Sequence, residues 1–210
     1  MRVSSCGGGG RRKAPHQDAG LRHLLPQQRT TCFNDPLMES ILREIESTIA
    51  AGLWYAAIAL CLTLPDICAT LEARSGARSD GQQARYNGWF NRNVAAKFGL
   101  IGLSAEECWK LRCGVLHEGR YKKRKVSAEY DRIVFTLPPG GTIHNVVIEA
   151  SNSAILSLSA EFFCNQLIAA VREWSKAKKS DKIVKANLAQ LIQPRPNEFE
   201  PTVKGPIIIG

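Results

Sequence analysis

The chain has no pair of cysteines separated by two residues, although it carries 7 cysteines in 210 residues. That absence argues against a zinc ribbon and against a thioredoxin-type redox site. The odd count argues against a complete disulfide framework, and the thiols read as small buried hydrophobes in a reducing compartment. Cys61 and Cys68 fall on one helical face, while Cys108 and Cys113 flank Trp109 and Leu111 in an apolar setting. Long apolar runs are missing too. The longest, Gly52 to Leu64, falls short of the roughly 20 residues that a bilayer of about 30 Å requires, and it predicts a buried core helix. No apolar stretch follows the basic N-terminal residues, so a secretory signal is not expected and a cytoplasmic location without membrane association is. Methionine is nearly absent: there are only Met1 and Met38. Helical patterning begins at Met38, which makes it an alternative start and residues 1–37 an artefact of gene prediction in that case.

Uniform charge is lacking as well. The net charge of +9 is split into +4 over residues 1–35, −1 over 36–119 and +6 over 120–210. A neutral centre with basic flanks suits a polyanionic partner, and a plain solubilising charge run accounts for it equally well. A hydrophobic content of 44% fits a globular chain of one domain with tails.

Three regions follow. Residues 1–34, with the Gly7–Gly10 tract, Pro15 and Pro26, predict a disordered basic extension. The glycine tract precedes no strand-to-helix turn and has no phosphate-binding lysine, so it reads as low complexity. Residues 35–178 predict the folded domain, and 179–210 a short helix and tail.

Within the domain, Asn34 or Asp35 as N-cap and Pro36 at the first helical position open a helix with Leu37, Ile41, Ile45 and Ile49 in its apolar stripe. Gly52 ends it. A second helix, Leu53 to about Leu71, is apolar nearly all round and should be central. Pro65 is expected to kink or divide it, with Asp66 capping the second half. Trp54 and Tyr55 at its head read as core.

After the loop Arg74–Gly81, a third helix covers Gln82 to Phe98. Its Tyr86, Trp89, Phe90 and Val94 have the spacing of a core stripe, although Tyr86, Trp89 and Phe90 could also stack on bases beside Arg85 and Arg92. Ser104 and Glu107 form a capping box for a fourth helix, Ala105 to about Glu118, which Gly119 can stop. Two β-rich runs around Pro138-Pro139-Gly140-Gly141 predict a β-hairpin with His144 facing solvent. A fifth helix, Ser159 to Lys178, carries Phe162, Phe163, Leu167, Ile168, Val171 and Trp174, and residues Asp181–Ile192 suggest a short last helix. The expected architecture is all-α: an antiparallel helical bundle of four to five helices with a β-hairpin insertion before the last long helix.

The fourth helix carries the chemistry. Arg112 and His117 lie five residues apart, and Arg120, Lys122, Lys123, Arg124 and Lys125 follow at once. A permanent cation can hold a phosphate, and an imidazole can move a proton near neutral pH. At roughly 100° per residue the pair is separated by about 140° around an α-helix. The two cannot both face the centre of one narrow groove, so a composite site needs either a groove edge or, the favoured option, a second copy of the helix across a two-fold dimer. His117 would accept the proton of a ribose 2′-OH or supply one to the leaving oxygen, and Arg112 would stabilise charge on the phosphoryl oxygens. The basic run would hold the RNA backbone, and Glu118 could orient His117. Neither metal nor cofactor is called for. The bland alternative is that the two side chains only complement the helix dipole and its last carbonyls.

The segment Arg112-Cys-Gly-Val-Leu-His117 resembles the R-x4-6-H motif of the HEPN superfamily, the higher eukaryotes and prokaryotes nucleotide-binding domains. The preceding helix and the basic segment after it are similar as well, over about residues 35–178. The resemblance implies a small dimeric helical bundle acting as a metal-independent ribonuclease in toxin–antitoxin or phage-defence systems. It implies Arg112 and His117 as the catalytic pair, RNA as substrate, and an antitoxin or nucleotidyltransferase as a further partner. Cys113 stands where active members usually carry Asn, Asp or His. In some toxin members such a nucleotidyltransferase modifies a tyrosine two residues past the histidine; here Tyr121 stands four past His117, a departure from that pattern that leaves it an accessory candidate. The alternative within the same resemblance is a catalytically inactive module that binds RNA, a nucleotide or a protein partner.

Overall fold

The computed structural model describes residues 38–74, 81–96, 102–119, 130–139, 143–150, 153–191, 194–195 and 208–209. The described residues all belong to the compact unit Asn34–Gly210. The extension 1–34, the expected caps Asn34 and Asp35, and the basic run 120–125 with Tyr121 lie outside the described residues.

Helix α1 spans Glu39–Ala50 and starts later than the sequence suggests, because Met38 adopts a left-handed backbone (φ 65°) at its N-cap. Helix α2, Trp54–Glu72, runs unbroken through Pro65, so the expected division does not occur. Nine of its nineteen residues are buried, Pro65 among them. The turn before the proline finds extra donors: Thr63 donates to the Leu60 carbonyl at 2.7 Å, and the Tyr86 hydroxyl donates to the Leu62 carbonyl at 3.3 Å. Packing on nearly every side outweighs the local cost of the proline. Among the described residues, α2 is the one helix long and apolar enough to cross a membrane by length and composition. Its position is instead that of a core helix, in contact with α1 and with the helices at Gln82–Phe90, Ala105–Cys113, Ala160–Lys178 and Lys182–Leu188.

Helix α3 covers Gln82–Phe90 and passes into a π turn, Asn91–Ala95. Its Tyr86, Trp89 and Phe90 are fully buried, so the core reading of that stripe is correct and a base-stacking surface is not. Helix α4, Ala105–Cys113, begins at the expected capping box: Ser104 N–H donates to Glu107 at 2.8 Å, and the Glu107 amide donates to the Ser104 hydroxyl at 3.3 Å. A second π turn, Gly114–Glu118, follows directly, and Gly119 stops the chain in the left-handed region at φ 62°.

The expectation of an all-α antiparallel bundle with a hairpin is overturned by a three-stranded mixed sheet. Strands β1 (Arg132–Thr136), β2 (Val146–Ala150) and β3 (Ser153–Ser159) lie in the order β1-β3-β2. β1 does not pair with β2: it runs parallel to β3, with Ile133 beside Leu156 and Phe135 beside Leu158. β2 runs antiparallel to β3 on the other side. The strand missing from the sequence reading is the central one. Its Ser157 and Ser159 are buried along with Leu156 and Leu158, so its alternation is one of size more than of polarity.

Strand β3 leads straight into α5, Ala160–Lys178, and Ser159 is both its last residue and the N-cap, accepting from the Phe162 amide at 3.2 Å. His144 is not simply solvent-facing. Its Nδ1 accepts from the Ser159 amide at 3.2 Å and its ring packs 4.2 Å from Phe162. Helix α6, Lys182–Leu188, is capped by Asp181. A two-residue pair, β4 (Pro194–Arg195) with β5 (Ile208–Ile209), completes the described elements.

Candidate functional site

The π turn changes the geometry of the motif. In an α-helix a separation of five residues is about 140°, but a π turn closes through i→i+5 bonds and brings residues five apart back to one side. Here the Gly119 amide bonds the Gly114 carbonyl across five residues. Arg112 Nη1 and His117 Nε2 accordingly lie 3.4 Å apart within one chain. The angular reason for a two-chain site is therefore gone. A guanidinium can only donate, so this contact becomes a hydrogen bond when Nε2 is the unprotonated nitrogen of the ring.

Arg112 is held from several directions. Its Nη2 donates to Asp66 Oδ2 at 2.9 Å, in an ion pair whose side chains are only 13% and 15% exposed. Its guanidinium carbon lies 5.0 Å from the centre of the Trp109 ring, in cation–π contact. Trp109 in turn meets Tyr86 edge-on at 5.3 Å. Arg112 Nε is buried and has no hydrogen-bond partner among the described residues. Asp66 is fixed as well, since Gln82 Nε2 donates to the same Oδ2 at 2.7 Å.

Three helices thus build the site: α2 supplies Asp66, α3 supplies Gln82 and Tyr86, and α4 with its π turn supplies Trp109, Arg112 and His117. Sequence reasoning placed Asp66 as a cap after a helix break, and Gln82 only as the start of a helix. Both were missed as site residues. No spacing could reveal Asp66, which is 46 residues from Arg112.

The other expected residues are placed less closely. Glu118 is exposed at the end of the π turn. Cys113, at its start, is a partly exposed free thiol. Tyr55, expected in the core, is 67% exposed, and its hydroxyl donates to the Val115 carbonyl within the π turn at 3.4 Å. Arg120, Tyr121, Lys122, Lys123, Arg124 and Lys125 lie outside the described residues.

The buried neighbours contribute shape, not reactivity. Burial pushes the Tyr86 phenol well above its usual range, so it stays a neutral donor. Burial likewise raises the thiols of Cys68 and Cys108, which keeps them protonated and unreactive. Among the described residues no three His, Cys, Asp or Glu side chains are grouped as a metal site would need. What the cluster offers is a fixed cation with donors to spare beside an exposed imidazole. No family model, no curated protein and no solved structure matches the chain.

Proposed function

We propose that the chain is a metal-independent RNA endonuclease of HEPN type in which Arg112 and His117 form the catalytic pair. The observation that carries this reading is the 3.4 Å contact between Arg112 and the exposed His117 on a π turn, with Arg112 anchored to Asp66. An exposed imidazole can reach a ribose, and a guanidinium beside it can bond a phosphoryl oxygen. His117 takes the proton of the 2′-OH, the 2′ oxygen attacks phosphorus, the bond to the 5′ oxygen breaks, and that oxygen takes a proton from water. The products are a cyclic phosphate and a free 5′-hydroxyl. The reaction needs the 2′-OH, which restricts it to RNA. The reading rests on the motif and its geometry, not on a bundle fold. The homodimer, the basic run as a backbone contact, a toxin or phage-defence role in the cytoplasm, and an antitoxin or nucleotidyltransferase partner belong to it as parts carried by the resemblance.

The test is cleavage of a labelled RNA by the full chain with a chelator present. Wild type should cleave it, leave the matching DNA intact, and lose about 10²- to 10⁴-fold of its rate in His117→Ala. Cleavage that survives unchanged in His117→Ala overturns the proposal.

A second reading is favoured by the low exposure of Arg112 and its pairing with Asp66. In that reading the chain is an inactive module that binds RNA, a nucleotide or a protein partner. It predicts salt-sensitive RNA binding without cyclic-phosphate products.

A further inference from the structure

We infer that Asp66 is a positioning residue for the reaction, setting the direction in which Arg112 presents its free donors. This rests on the RNA-cleavage reading above.

An arginine side chain has many rotamers, and the cost of fixing them falls on whatever binds it. Here three contacts have already fixed it. Asp66 takes Nη2, the Trp109 ring covers the guanidinium at 5.0 Å, and Nη1 is left pointing at His117. Asp66 uses a single oxygen, Oδ2, for both Arg112 and Gln82. It therefore does not clamp both terminal nitrogens of Arg112, as a bidentate carboxylate would. Nη1, beside the exposed His117, remains for an incoming phosphoryl oxygen, while the partnerless Nε is enclosed. Gln82 fixes the carboxylate that fixes the arginine. The ion pair is mostly enclosed, so its direction is held more firmly than a surface pair would be.

The same arrangement predicts an opposite effect on binding. The Asp66 carboxylate repels a phosphate placed at Nη1, and removing its charge favours ground-state association. Catalysis depends on aim, and binding depends on charge. A loss of Asp66 should therefore lower kcat without raising KM. Partial unfolding has a different signature, since it lowers the active fraction and leaves KM unchanged.

The experiment compares wild type with Asp66→Asn, Asp66→Ala and Asp66→Glu. It measures kcat and KM on RNA, affinity for the uncleavable DNA of the same sequence at low salt, and the folded fraction by circular dichroism. Asp66→Asn and Asp66→Ala should lose about 10²-fold in kcat, the cost of misplacing a reacting group by an ångström. KM should fall and DNA should bind at least as tightly as to wild type. Asp66→Glu should recover part of kcat. Wild-type cleavage with kcat unaffected in Asp66→Asn and Asp66→Ala overturns this inference alone. So does a kcat loss that matches the folded fraction with KM unchanged. A wild-type chain that leaves RNA intact overturns the cleavage reading and this inference with it.

Discussion

Arg112 and Arg172 are long cations that each join two helices, and their surroundings differ in kind. Arg172, on α5, gives every guanidinium nitrogen to α1. Nε and Nη2 donate to Glu39 at 3.3 and 2.7 Å, and Nη1 and Nη2 donate to Glu46 at 2.7 and 2.9 Å. The hydrogen bonds to Glu46 and then Glu39 raise the Arg172 pKa above the usual arginine range. Hydrogen bonding to Arg172 in turn holds the Glu46 carboxyl below its ordinary value. Arg112 meets one carboxylate oxygen, an aromatic face and a histidine, and Nε has no partner among the described residues. A cation whose nitrogens are all matched by acid groups fastens one helix to another. A cation with donors left over, next to a proton carrier, is equipped to receive an anion.

The sharpest way to break this contrast is to remove each arginine in turn. Arg112→Ala should lower RNA cleavage by about 10²- to 10³-fold, the usual cost of deleting a donor to developing negative charge. Arg112→Lys should recover little, since a single ammonium on a flexible stem cannot satisfy Asp66 and a phosphate in the same planar geometry. Arg172→Ala should leave cleavage per folded molecule unchanged. Initial rates normalised to folded protein decide the matter. Equal losses in both variants would erase the distinction.

How far the sequence could reveal these two regions follows from the range of the interactions. The start of α4 and the whole of α5 were legible because their signals are local: the Ser104–Glu107 box, the Ser159 cap and the repeat of Phe163, Leu167, Val171 and Trp174. Arg112 and His117 were legible because they share one short segment. Asp66 and Gln82 were not, since only the packing of α2 and α3 against α4 brings them there. The sheet failed for a related reason. A parallel pair between β1 and β3 spans β2 in sequence and leaves no turn signature, and buried serines disguised the central strand. Pro65 misled because a propensity rule was applied to a helix that tertiary packing encloses. The 140° separation misled because it assumed one uniform helical period through Gly114–Glu118.

The π turn can be tested by changing the length of the segment. Deleting the exposed Leu116 places the histidine four residues after Arg112, and an ordinary α-helix then puts both on one face. Val115 keeps its place four residues from Leu111 on the core side. The deletion should straighten the helix and cost less than the roughly 10²-fold expected of an ångström of misplacement. Inserting an alanine between Leu116 and His117 moves the imidazole off that face, and cleavage should drop to the level of His117→Ala. A site built from two chains, with the pair held about 140° apart, predicts the reverse for the deletion, which would then be the damaging change. Cleavage rates of the two length variants, read beside their helical content, separate these outcomes.

The smallest effect belongs to the clamp, and its pH dependence identifies it. Arg172 is about a third exposed and Glu46 more so, so solvent screening limits what the network adds. Arg172→Ala should cost about 1 kcal/mol at neutral pH, a fall in Tm of about 2–4 °C for a chain of this size. The Glu46 carboxyl sits below 4.5 in the folded chain because Arg172 bonds its charged form. Its stabilising contribution is thus fully present above 4.5 and is lost as pH falls through the lower folded value. The gap in Tm between wild type and Arg172→Ala should be open near neutrality and narrow as pH falls below the ordinary carboxylate range. Thermal melts across that range measure it. A gap that stayed constant into acid would mean that the aliphatic stem of Arg172, and not its charge, holds α5 against α1.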